Sequence, residues 1–115
     1  MTRARRPKIV HEDQASISAW ADGAFGSCQL PAAIRRTREE ISEFLFETAS
    51  HRSTLFSDRV LSEGADIVIC LYRLAQVLGA DLQEEIDRKM VLNRSRRWRR
   101  LGDGTGRHLR EGETL

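Results

Sequence analysis

Five carboxylates in the middle of this 115-residue chain have the spacing of a metal site. Glu39-Glu40-x-x-Glu43 comes first and Glu63-x-x-Asp66 follows, each in a stretch of helical apolar periodicity, so that residues i and i+3 share a face. Two such helices packed face to face would crowd four or five carboxylates into one small volume. Like charges at that range repel, and the arrangement calls for balancing cations. Oxygen ligands select the hard ions Mg²⁺ or Mn²⁺, and Mg²⁺ held by a few carboxylates completes its shell with water and substrate phosphates. The chemistry indicated is metal-dependent work on phosphates.

Acidic residues three apart on a helix more often form a solvated face than a metal site. The second pair argues otherwise. Glu63 and Asp66 are embedded among Leu61, Ala65, Ile67, Val68, Ile69, Cys70 and Leu71. A helix apolar on nearly all sides is expected to be buried, and buried carboxylates need partners or metals. Cations that could face such a site follow later in the chain. Lys89, Asn93 and Arg96 fall at i, i+4 and i+7, with Arg97 one step round. Lys offers a mobile point charge, Arg a planar fork matched to phosphate, and Asn both a donor and an acceptor. A base would be read by stacking on an aromatic ring, for which Trp20 and Phe25 are candidates, although Trp20 also suits a core.

Four helices must position these groups. The first is expected from His11 or Glu12 to Ala24, stopped by Gly26. Pro31 suits the first turn of a second helix running to about Ser50 and burying Ile34, Ile41, Leu45 and Thr48. His51 to Asp58 reads as a polar connection with Ser57 as N-cap. A third helix spans roughly Asp58 to Leu78, with Val60, Leu61, Ile67, Val68, Leu71, Leu74, Ala75 and Leu78 inward, and Gly79 ends it. Asp81-x-x-Glu84 has the form of a capping box and opens a fourth helix to about Trp98, packing Leu82, Ile86 and Met90. Glycines 102, 104, 106 and 112 among polar residues read as a flexible tail, and no strand is expected. The fold class is all-α, a four-helix, bundle-like protomer, with residues 1–10 a basic extension, 11–100 the domain and 101–115 the tail.

Length and charge agree with one small domain. The net charge is +2, with basic residues gathered at Arg3, Arg5, Arg6 and Lys8 and again from Arg94 to Arg100. Two cysteines, Cys28 and Cys70, give neither a zinc spacing nor a disulfide framework. The basic start lacks an apolar run after it, so no signal peptide is read, and no stretch reaches the length of a membrane span. A soluble, intracellular protein is expected.

With these residues in place, the chain resembles the MazG-like, all-α nucleoside triphosphate pyrophosphohydrolases. The matching motifs are Glu39-Glu40-Ile41-Ser42-Glu43, Glu63-Gly64-Ala65-Asp66 and the run from Lys89 through Asn93 to Arg96. The segment Ile17 to Gly26, with Asp103 to His108, looks like a small phage and bacterial branch associated with purine deoxynucleotides. The resemblance implies a homodimer or homotetramer of helical protomers. Its reaction would convert a (deoxy)nucleoside triphosphate, such as dGTP, GTP or dATP, to the monophosphate and pyrophosphate. It implies Glu40, Glu43, Glu63 and Asp66 as ligands of two or more Mg²⁺ or Mn²⁺ ions. Glu39 and Glu43 would be catalytic, Glu39 as a further ligand or by positioning the attacking water. Lys89, Asn93 and Arg96 or Arg97 would hold phosphates or sugar, and His108 would close over the nucleotide if the tail folds down. Ser62 stands where the family usually has a further acidic residue.

Two other readings stay in view. A helical nucleic-acid-binding module using Arg94 to Arg100 on backbone phosphates would explain the basic run but make the acidic quartet a liability. A helical partner protein holding a structural metal would explain the quartet alone.

Overall fold

Asp13 sets where the first helix begins. Its carboxylate accepts the Ser16 backbone N–H at 2.8 Å, while Ser16 Oγ accepts the Asp13 N–H at 2.9 Å, closing a capping box. These hydrogen bonds hold the Asp13 carboxyl below its ordinary pKa. Helix α1 therefore runs Gln14–Phe25, starting two or three residues later than the periodicity suggested. Gly26 ends it with φ 85° and ψ 176°, a conformation open essentially to glycine alone. The computed structural model describes residues 8–50 and 56–114, without the side chains of 50 and 56–58. The basic residues Arg3, Arg5 and Arg6, and most of the connection read at His51 to Asp58, lie outside the described residues.

Helix α2 is Leu30–Ser50, with Pro31 in its first turn as expected. Helix α3 is Phe56–Val77, so Ser57 lies inside the helix and does not cap it. Its end is a Schellman turn: Gly79 takes φ 69°, Ala80 N–H reaches Ala75 O at 2.9 Å and Gly79 N–H reaches Gln76 O at 3.1 Å. Gln14, buried on α1, donates through Nε2 to Ala80 O at 2.7 Å and to Gln76 Oε1 at 3.0 Å, fastening the start of α1 to the end of α3. Both α1 and α2 pack on α3.

The packed faces are made of small and polar residues. Ser18 and Ala21 on α1, Ala33, Thr37 and Glu40 on α2 and Ala75 on α3 are buried. Thr37 turns its hydroxyl back to Ala33 O at 2.8 Å, which satisfies it inside the interface. The expected α2 core of Ile34, Ile41 and Leu45 is instead exposed, and Thr48 is only partly covered. On α3, Leu61 and Val68 are exposed too, Leu61 at 72%, as is Leu78 just past its end, so that helix is not covered all round within the protomer. Small side chains let the helices approach closely, with Phe44, Ile67, Leu71 and Leu74 half-buried around them and other large apolar residues left outward.

Residues 82–115 form a separate compact unit from 1–81. It opens with α4, Leu82–Ser95, on which no residue is buried; Ile86 and Met90, expected to pack, are exposed. The helix stops at Ser95, short of Trp98. Ser95 Oγ donates to Leu92 O at 2.7 Å and Trp98 Nε1 to Asn93 O at 2.8 Å, taking carbonyls that another helical turn would have used. Where a structureless tail was expected, β1 (Trp98–Arg100) pairs antiparallel with β2 (Gly106–His108), with Trp98 opposite His108 and Arg100 opposite Gly106. Gly102 and Gly104, both at positive φ, and Asp103, whose carboxylate accepts the Thr105 N–H and hydroxyl, build the turn. Leu109 is buried after β2, its N–H on Arg97 O.

Candidate active site

Glu40 is the centre of the acidic motif. It continues the Ala33–Thr37 face of α2 toward α3, which leaves it 5% exposed. One carboxylate oxygen each from Glu40, Glu43 and Glu63 lies within 4.8 Å of the other two. The i,i+3 spacing supplies the first two from α2, and helix packing brings the third from α3. Glu40 Oε2 and Glu63 Oε2 are buried with no hydrogen-bond partner. Burial pushes the Glu40 carboxyl above its ordinary range, against the pull of Arg36, and the Glu43 and Asp66 carboxylates push it further. Unpartnered buried acceptors among like charges are what a hard divalent cation would satisfy, so the residues present fit one.

The remaining sequence-derived residues divide into three groups. Asp66 is exposed and lies outside the three-carboxylate cluster, but it shares a cleft wall with Glu40. Glu39 turns to Arg36 Nη1 at 2.8 Å and Arg35 Nε at 3.6 Å. Lys89, Asn93, Arg96, Arg97 and His108 belong to the second compact unit. There Lys89 is exposed on α4, and Asn93 sets its amide on Met90 Sδ at 3.9 Å. Arg96 lies beyond the end of α4, which cuts short the expected i,i+4,i+7 face. Arg97 donates to Glu113 O at 3.0 Å, and the His108 ring lies 5.6 Å from Trp98.

The cleft beside Glu40 has a volume of about 680 Å³. Trp20 and Phe25 wall it, with ring centroids 5.4 Å apart and edge to face. Trp20 is 62% exposed, so its core role is not the one realised in the protomer. Arg73 of α3 holds this wall: it donates to Gly26 O at 2.6 Å, meets Asp22 at 3.2 Å and sits 5.8 Å from the Phe25 ring centroid. Cys70, one turn beyond Asp66, lines the same cleft, and burial raises its thiol pKa with the Glu40 charge adding to the effect. Arg36 and Arg73 were missed in the sequence. For Arg36 a signal existed, since it stands four residues before Glu40 on one helix face. Nothing in the spacing marked Arg73, whose partners lie 47 and 51 residues away.

No protein-family model matches the chain. Among individual proteins, a dATP/dGTP diphosphohydrolase of Salmonella phage PMBT28 is 34% identical over 110 residues, covering 96% of this chain and 35% of that protein. A dATP/dGTP diphosphohydrolase of cyanophage S-2L is 32% identical over 108 residues, covering 94% of this chain and 95% of that protein. The chain thus spans about a third of the first relative and nearly all of the second. Among solved structures, the cyanophage S-2L MazG-like pyrophosphohydrolase bound to dGDP and three catalytic Mn²⁺ ions per active site matches with a TM-score of 0.62 and 32% identity. The match covers 84% of this chain and 89% of that one. The acidic motif, the helical fold and a near full-length match at this identity lead to one assignment: the chain belongs to the MazG-like pyrophosphohydrolases, alongside the phage dATP/dGTP diphosphohydrolases.

Proposed function

We infer that this protein hydrolyses deoxynucleoside triphosphates, dATP and dGTP foremost, to the monophosphate and pyrophosphate with Mg²⁺ or Mn²⁺. The observation that carries the reading is the cluster of Glu40, Glu43 and Glu63, with two buried oxygens lacking partners, beside an aromatic-walled cleft. Glu40, Glu43 and Glu63, with Asp66 from the cleft wall, would hold two or more ions; the related cyanophage structure holds three Mn²⁺ per active site. Bound there, divalent ions supply charge neutralisation on the phosphates and a water of lowered pKa.

The rest is the work of side chains. Glu39, exposed next to Glu40, orients the attacking water, and Glu43 combines ligation with a catalytic role. Trp20, with Phe25 set edge-on against it, offers a stacking face for the base. Lys89, Asn93, Arg96 and Arg97 contribute cationic and amide groups to phosphates or sugar, and His108 closes over the nucleotide. The protein acts as a homodimer or homotetramer. In support, α2 leaves Ile34, Ile41 and Leu45 exposed on one side, and α3 leaves Leu61 and Val68 exposed. A second copy would cover them. No helix among the described residues is long and apolar enough to cross a membrane. The phage origin of its relatives supports action in the cytoplasm of a bacterial or infected cell. Binding of nucleic acid by the run Arg94 to Arg100 is the weaker reading, because it leaves the buried, unpartnered oxygens of the Glu40–Glu43–Glu63 cluster without a purpose.

The test is a panel of ribo- and deoxynucleoside triphosphates with Mg²⁺ or Mn²⁺, with the released phosphate identified. Pyrophosphate from dATP and dGTP is expected. Orthophosphate would overturn the reaction, and a preference for pyrimidines would overturn the base assignment.

A further inference from the structure

Arg36 places one guanidinium nitrogen on each of two neighbouring carboxylates, Nη1 on Glu39 Oε2 at 2.8 Å and Nη2 on Glu40 Oε1. The two partners differ in their need for it. Glu39 is half exposed and also meets Arg35. Glu40 is buried, its other oxygen has no partner, and Glu43 and Glu63 crowd it with like charge. Arg36 is the cation that balances Glu40 in this structure. Its own side chain is 50% exposed and forms part of the cleft wall with Trp20, Arg35, Asp66 and Arg73. The guanidinium therefore stands at the boundary between the carboxylate cluster and the open cleft.

We propose that Arg36 is a built-in counter-cation that gives up Glu40 when a divalent ion enters and takes a phosphate of the substrate in its place. Guanidinium and metal compete for the same carboxylate, and a dication beside Glu40 repels a guanidinium left in contact with it. The side chain has somewhere to go. It faces a cleft on its exposed side, and its planar fork matches phosphate oxygens as well as it matches carboxylates. The exchange keeps charge balanced at each stage: Arg36 with Glu40 before metal, metal with Glu40 and Arg36 with phosphate afterwards. The metal half rests on the carboxylate geometry alone, whereas the phosphate half rests on the reading under Proposed function.

The experiment measures Mn²⁺ binding to the full chain without nucleotide, by isothermal titration calorimetry, in wild type, R36Q and R36K. Steady-state rates with dGTP at saturating Mn²⁺ are measured on the same three proteins. R36Q should bind Mn²⁺ at least fivefold more tightly and show a KM for dGTP at least tenfold higher. R36K keeps a charge but lacks the planar fork that matches carboxylate and phosphate oxygens, and should fall between the two on each scale. Opposite shifts of metal and nucleotide affinity are a signature that a purely structural ion pair would not produce, since loosening the helix weakens both. Mn²⁺ binding that is unchanged or weaker in the variants overturns the proposal, and so does an unchanged KM. If R36Q melts below the assay temperature, R36K decides by the same criteria. If wild type releases no pyrophosphate from any nucleotide, the functional reading fails, and the Mn²⁺ titration still decides whether Arg36 competes with metal.

Discussion

Replacing Glu43 by Gln should make the metal-free protein more stable and the metal-loaded protein less stable than wild type. Glu43 contributes an oxygen within 4.8 Å of oxygens from Glu40 and Glu63. At that separation a pair of like charges costs about 3 kcal/mol at an effective dielectric near 20 and about 1 kcal/mol in bulk water. Glu43 is exposed and Arg36 offsets the charge of Glu40, so the lower figure for the remaining pair with Glu63 applies, and removing the Glu43 charge should raise the melting temperature in EDTA by about 4–8 °C. Mg²⁺ at a hundred times its Kd stabilises a protein that binds it only when folded by about 2.7 kcal/mol, which corresponds to a rise of about 10–20 °C. The variant lacks one ligand and should lose most of that rise together with its turnover. The order of melting would then invert between EDTA and Mg²⁺. Thermal melts by circular dichroism in both conditions, beside a pyrophosphate-release assay, provide the comparison. A variant that melts below wild type in EDTA, or that keeps the full Mg²⁺ shift, refutes the electrostatic account of the cluster.

Three further outcomes follow from positions already described. Glu40 has its pKa raised by burial, so its protonated form favours folding; that contribution is whole below the ordinary carboxylate range and is lost as pH rises through the raised value. In EDTA, urea midpoints of wild type should fall relative to those of Glu40→Gln between mildly acidic and neutral pH, and parallel curves would contradict this. Gly26→Ala places a side chain at φ 85°, ψ 176°, and should cost about 1–3 kcal/mol in urea unfolding, with loss of the Phe25–Arg73 wall read as a raised KM. Gly64→Ala, in the interior of α3, adds a Cβ at an ordinary 3.9 Å from Phe44 Cε2 and should stabilise the protein by about 1 kcal/mol in the same assay.

What was readable in the sequence was whatever local periodicity encodes. Glu40 and Glu43 at i and i+3 and the glycines 26 and 79 depend on a few adjacent residues, and the structure places these accordingly, whereas Asp66, at the same spacing from Glu63, lies outside the cluster. The buried face of α2 was not readable in this way. Ile34, Ile41 and Leu45 form the more apolar stripe, yet the face that meets α3 is Ala33, Thr37 and Glu40. Hydrophobicity marks which faces are to be covered and does not say by what; close approach to α3 selects small residues instead. The strands Trp98–Arg100 and Gly106–His108 show no apolar alternation and owe their pairing to the turn around Asp103, so no periodic signal announced them. Trp20 was open to two readings because its place depends on Phe25 and Arg73, a contact made only once α1 has packed on α3.

The division of the cluster between two helices also gives it a place in the folding reaction. Glu40 and Glu43 are neighbours as soon as α2 coils, but Glu63 joins them only when α3 docks, so part of the repulsion switches on at that step. If docking precedes the rate-limiting barrier, the charges slow refolding; if it follows, they accelerate unfolding. Chevron plots of wild type and Glu63→Gln in EDTA would assign the difference to one arm or the other. The residues that gather a cation in the native state therefore also time the meeting of α2 and α3, and a divalent ion present during refolding would act on the rate as well as on the final balance.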